Sequence, residues 1–342
     1  MDYGKLLSRS FEITRKYRAL WLFGILLALF GGGGGNLNFN FGNFGGGGGG
    51  GRGGTGGLPT IPPEVWQTIA VVVFALLCIA LVWIVLSIVL RFVSRAALIG
   101  LVQELEADAT TPTVRRGFSI GRGRFWQLLG IALTINIPLF IVSLALVLLA
   151  ALPALAATIP LLNARRPAGE IGGMLVGSIL GSVLLLCCVV LFLFVVGLVI
   201  RPFYEFFMRE CVIQKRGVFD SIREGYRIVR ANLGNVAILY ILIIGIGIGF
   251  ALLMIPVVLV LVGIALAAGL VAGFAAAGTA GLTTQAIVPA IIVGAIVAIP
   301  VFLVILFISG LYHAFESTLW TEGYLAITAA KTPETATSTA TP

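Results

Sequence analysis

The sequence predicts an all-α integral membrane protein, with six transmembrane helices built as three αα-hairpin repeats and amphipathic helices lying at the cytoplasmic interface. Three observations predict it. Apolar residues make up 59% of the chain and charged residues 11%, whereas soluble domains carry roughly 25% charged residues. Five long runs, at 19–51, 65–90, 125–164, 171–200 and 231–315, hold no Asp, Glu, Lys or Arg. Short strings with the same chemistry recur before alternate runs.

Each element follows from these runs. The hydrocarbon core of a bilayer takes about 20 residues of helix. The run at 65–90 therefore holds one span, over 66–90, and that at 171–200 another. The run at 125–164 holds a span over 125–152 followed by an apolar loop. The 85 residues of 231–315 are too long for one crossing and are interrupted by AAGLVAGFAAAGTAGLTT at 267–284. They divide into spans over 236–264 and 287–312. The first span covers 18–35 and is the shortest, because the glycine tract begins at Gly31.

The basic residues orient these spans, since Lys and Arg in short flanking segments stay cytoplasmic. Nineteen of the 22 fall in the N-terminal segment, the second and fourth connections and the tail; only Arg52, Arg165 and Arg166 fall on the other side. Both termini are then cytoplasmic. Without a crossing at 18–35 every later connection would change sides and the bias would vanish. The formal charge of +8 is thus a polarity of topology, and nucleic acid is not an expected partner.

Before the odd spans stand SFEITR at 10–15, GFSIGR at 117–122 and GYRIVR at 225–230, spaced by 107 and 108 residues. The even spans close with RFVSR at 91–95, RPFYE at 201–205 and YHAFE at 312–316. This is the repeat. It puts Arg95, Glu205 and Glu316 at corresponding positions, where charges near membrane depth usually pair, and predicts a structural ion cluster among them. The alternative is pairing within one helix among Arg201, Glu205 and Arg209, spaced four apart.

The segments preceding the odd spans are amphipathic. In the first, Leu6, Leu7, Phe11, Ile13 and Tyr17 share an arc opposite Lys5, Arg9, Glu12 and Lys16. In the third, Val218, Phe219, Ile222, Tyr226 and Val229 do the same. Such helices lie in the headgroup plane with the apolar side down, making Arg15, Arg122, Arg227 and Arg230 candidate headgroup contacts. Ser221 and Glu224 form a capping box predicted to start the third, and GRGRFW at 121–126 predicts a break in the second. Small residues four apart, at Gly173, Gly177 and Gly181, at Gly245 and Gly249, and at Ala290, Gly294 and Ala298, predict close helix approach.

The tract at 31–57 holds 17 of the 44 glycines. GRGGTG at 51–56 matches a phosphate-cradle pattern, yet no strand precedes it and no Lys follows. It reads as a flexible outer loop, and 329–342, AAKTPETATSTATP, as a disordered cytoplasmic tail. Cys78, Cys187 and Cys188 lie in spans and Cys211 on the inner face, so no outer disulfide framework is expected. With one histidine, His313, and no C-x-x-C, neither a metal site nor a cofactor is expected. His313, Glu316 and Ser317 form the one local grouping that a hydrolase could use, and an interfacial polar cluster is the better reading of them.

The paired hairpins, the amphipathic helix before each odd span and the ending FESTLWTEGYLAI at 315–327 resemble bacterial proteins related to the membrane domain of glycerophosphoryl diester phosphodiesterase. The resemblance covers about 1–328, implies a membrane module and transfers no catalytic residues. The expectation is a non-enzymatic protein of the bacterial cytoplasmic (inner) membrane that binds anionic headgroups, or membrane-protein partners, through its basic cytoplasmic face. A passive or lipid-type transporter is the alternative, and an intramembrane hydrolase a more remote one. The topology is directly testable. A cysteine at Gly48 should react with an impermeant reagent added outside, and one at Ala107 should not; reversed labelling would overturn the six-span reading.

Overall fold

A computed structural model of the chain describes residues 2–31, 63–108, 111–156, 168–277 and 284–329. The glycine tract beyond Gly31 and the tail beyond Ala329 lie outside the described residues. Every element among the described residues is helical: α1 (Tyr3–Lys16), α2 (Arg18–Phe30), α3 (Pro63–Asp108), α4 (Val114–Ala156), α5 (Ala168–Ile213), α6 (Val218–Ala231), α7 (Leu233–Ala277) and α8 (Thr284–Ala329). The protein is an all-α membrane protein, with five helices among the described residues long and apolar enough to cross a bilayer. The apolar α2 has 13 residues, roughly 20 Å at 1.5 Å per residue, which is shorter than the ~30 Å hydrocarbon core.

The long helices do not stop where the apolar runs stop. α3, α5 and α8 have 46 residues each, about 69 Å, twice what a bilayer core needs. RFVSRAALIGLVQELEAD continues α3 and RPFYEFFMRECVI continues α5, where the sequence reading treats these segments as connections. Both hold good helix formers and apolar residues on one side, so they go on as amphipathic helix once the purely apolar stretch ends. Pro138, Pro256 and Pro300 lie inside helices that continue past them.

The chain divides into two compact units. The N-terminal unit comprises 2–123 and 241–322. Its core joins Ile13 of α1, Leu20, Phe23 and Leu27 of α2, Ala97, Leu98, Leu101, Val102 and Leu105 of α3, and Ala314 of α8. α1 and α2 are separated at Tyr17, whose extended backbone breaks the helix while its N–H still bonds the Ile13 carbonyl. The Trp21 indole N–H donates to the Thr14 carbonyl at 2.6 Å and ties the two helices across that break. Two close approaches define the packing. A β-carbon on Gly24 would stand 2.2 Å from the Gly310 carbonyl oxygen, and one on Gly121 2.5 Å from that of Val93. The glycine in GRGRFW therefore brings α4 onto α3, and α4 runs through that motif without the expected break.

The second unit comprises 124–240 and the segment from Gly323 onward. Phe206, Met208, Cys211 and Val212 of α5, Leu128 and Ile131 of α4, Ile228 and Val229 of α6, Leu239 of α7 and Tyr324 of α8 are buried in it. Lys215, with φ of 56°, is the left-handed residue that turns the chain between α5 and α6.

In both units burial collects at the charged ends of the helices. No residue of α3 between 70 and 90, nor of α5 between 176 and 200, is buried. Phe74, Trp83, Phe192 and Phe194 are all more than half exposed. Such surface is tolerable only against lipid tails, which are as apolar as the side chains.

The expected glycine stripes are only partly used. Gly294 meets Gly269, whose added β-carbon would lie 3.0 Å from the Ala290 carbonyl, but Gly177, Gly181, Gly245 and Gly249 face open space. Gly24→Ala should therefore lower the detergent melting temperature by the equivalent of about 1 to 3 kcal/mol through overpacking. Gly177→Ala and Gly249→Ala should leave it unchanged or slightly higher, since Ala is the better helix former. Equal effects at all three positions would remove the distinction.

Candidate functional site

α6 carries the site. Gly217, extended, precedes it and supplies no side-chain cap, so the helix starts at Val218, three residues before the expected Ser221. Ser221 is inside the helix, its N–H bonding the Gly217 carbonyl. Asp220 sits in the first turn and Arg230 in the last, each matching the helix dipole.

α6 turns its small residues toward the protein. Its buried residues are Ser221, Gly225, Ile228 and Val229. The small residues allow close approach: a β-carbon on Gly225 would lie 2.6 Å from the Phe207 ring of α5. Phe219 and Tyr226 consequently point outward, 75% and 49% exposed, with the Tyr226 ring stacked on Phe203 at 5.9 Å. At 100° per residue, Arg230 and Arg223 follow these two aromatics within one narrow arc of the helix. Both arginines are exposed.

An open cleft of about 930 Å³ runs along this helix, lined by Arg216, Arg223, Arg227 and Arg230, by Asp220 and Glu224, and by Tyr226 and Ala231. Its arginines are not equivalent. Glu224 lies 3.6 Å from Arg216 and also pairs with Arg227. Arg216 is held from behind by Glu210, at 3.3 Å. Arg223 and Arg230 have no hydrogen bond or ion pair among the described residues.

Glu210 anchors the arrangement. It is 1% exposed and accepts the Tyr324 hydroxyl of α8 as well as facing Arg216. A buried carboxylate is tolerated only when paired and hydrogen-bonded. Tyr324, Glu210, Arg216, Glu224 and Arg227 thus form one polar chain from the core of this unit to the cleft.

The expected headgroup residues divide. Arg227 and Arg230 line the cleft; Arg15 on α1 and Arg122 on α4 are exposed in the N-terminal unit. Of the expected ion cluster, Glu205 accepts from Arg209 one turn later at 2.7 Å, and that arginine also reaches the Glu205 carbonyl at 2.8 Å. Arg209 is 1% exposed, so this within-helix pair is buried. Glu316 faces His313 at 3.6 Å. Arg95 is half-buried on α3. Sequence reasoning missed Glu210, Arg216 and Tyr324. The usable signal was the adjacent Arg209 and Glu210 inside FFMRECVI, where any helical face that buries Met208 and Val212 must take a charge with it.

The polar chain makes a prediction. Tyr324→Phe should cost about 1 to 3 kcal/mol of stability by leaving a buried carboxylate short of a donor. In a Glu210→Gln background the same substitution should cost less, because the residues share one network. Additive melting shifts would show that the hydroxyl does not serve Glu210.

No curated protein and no solved structure matches the chain. A family model does, over residues 8–317. That range takes in the basic cleft, and the chain belongs to the family of unknown function DUF7544.

Proposed function

We propose that this protein is a non-enzymatic membrane module of the bacterial cytoplasmic membrane, and that α6 binds anionic lipid headgroups at the cytoplasmic surface. The observation that carries the reading is the outward stripe of α6. Phe219, Tyr226, Arg223 and Arg230 share one exposed arc of the helix, and nothing within the described residues takes up the charges of the two arginines. Aromatic rings favour the membrane interface, and each Lys or Arg near an anionic surface contributes about 1 kcal/mol. Arg216 and Arg227, neutralised by Glu210 and Glu224, shape the cleft and leave the attraction to the other two. In this reading six spans form three hairpin repeats, and the basic ends face the cytoplasm. The resemblance to the membrane domain of glycerophosphoryl diester phosphodiesterase supports a membrane module of this kind.

The test is lipid retention. Released for native mass spectrometry from bilayers of mixed phosphatidylcholine and phosphatidylglycerol, the wild-type chain should keep phosphatidylglycerol. The double variant Arg223→Ala/Arg230→Ala should lose about 2 kcal/mol of that attraction, or roughly thirtyfold in retention. Equal retention by the two would overturn the assignment of the site.

A further inference from the structure

The N-terminal unit holds a second charged cluster, unrelated to the α6 cleft. Arg9 of α1 donates from Nε and Nη2 to the two oxygens of Glu106 on α3, each at 2.8 Å. Glu106 in turn holds the guanidinium in its charged form, raising the Arg9 pKa above its ordinary value through that hydrogen bond. Glu322 of α8 faces the same pair, within hydrogen-bonding reach of Glu106. Its side chain is buried, and its Oε1 has no hydrogen-bond partner among the described residues. Glu12, on α1, adds a weaker negative influence on Arg9.

One guanidinium therefore serves two carboxyl groups. Ionised carboxylates only accept hydrogen bonds, so Glu106 and Glu322 can bond to each other only if one carries a proton. Both Glu106 oxygens already receive Arg9. The proton then belongs on Glu322, where it donates to Glu106 and brings the cluster of Arg9, Glu106 and Glu322 to neutrality.

We propose that Glu106 and Glu322 form a proton-binding site, and that the bound proton latches α1 onto α3 and α8. When the proton leaves to bulk water, Glu322 becomes a buried carboxylate beside another, and the cluster carries an uncompensated negative charge. The folded protein holds a proton here that the unfolded chain, with an ordinary glutamate, has released near neutral pH. Stability therefore falls as pH rises. The break at Tyr17 lets α1 loosen without unwinding α2.

The experiment is infrared spectroscopy of the full chain in lipid nanodiscs, titrated from about pH 5 to 9 across the range where a shared carboxyl proton is lost. A protonated-carboxyl stretching band should be present at low pH, disappear on titration and be absent from Glu322→Gln. The melting temperature should fall with rising pH in the wild type and stay flat in Glu322→Gln, which mimics the protonated state. Glu106→Gln provides an independent check, because Glu322 would then ionise against Arg9 and the band would also be lost. A band that survives both substitutions, or no titrating band in the wild type, would overturn the proposal.

Discussion

The carboxylate of Glu210 sets the terms for everything around the cleft. It lies almost fully inside protein, where an unpaired charge would cost several kcal/mol, so its two partners are obligatory. Tyr324 arrives from the far end of α8 and Arg216 from the turn between α5 and α6. To present Arg216 inward, the chain reverses at Lys215 through a left-handed residue, a conformation that side chains other than glycine rarely adopt. That reversal fixes where α6 begins and which of its faces meets α5. Gly225, seated on the Phe207 ring, then decides which side of the helix is left outward.

Solvent explains why the cores lie where they do. In hydrocarbon there is no hydrophobic drive for one apolar helix to cover another, and association needs small residues or polar contacts. In each unit the purely apolar parts of the helices are largely exposed, and the packed residues begin where charged ones appear. There, water penalises apolar surface at about 25 cal/mol per Å², and amphipathic helix ends collapse onto each other. The same helices thus change their packing rule along their length, without a change of secondary structure.

Parts of the candidate site were legible. Arg227 and Arg230 stand in a strongly amphipathic segment, and helical spacing alone places Arg227 on its polar side. What spacing could not reveal is that Glu210 and Glu224 both hold Arg216, that Arg223 has no such partner, or that Ser221 and Gly225 rather than Phe219 and Tyr226 face the protein. Amphipathicity ranks side chains by transfer to an apolar medium, but a bilayer and a protein interior are both apolar. Only the shape of Phe207, which admits a glycine, decides between them. The acids show the same limit: Glu205 has a cation four residues away in its own helix, and the buried position of Arg209 makes that pair far more than a surface ladder.

By itself the sequence determined the solvent of this protein and the identity of its elements. Long charge-free runs leave only helices as a way to satisfy the backbone in lipid. These properties are one-dimensional, written in composition and period, and need no knowledge of neighbours. Tertiary structure decided how far each helix continues past its apolar run, which glycines touch a neighbour, and which charges are spent inside the protein. Gly24 meeting Gly310, Tyr324 meeting Glu210 and Arg9 meeting Glu106 join residues from 97 to 286 positions apart. No local pattern encodes such pairs, because their energy comes from excluded volume and from desolvated charge, and both exist only once distant segments occupy the same space.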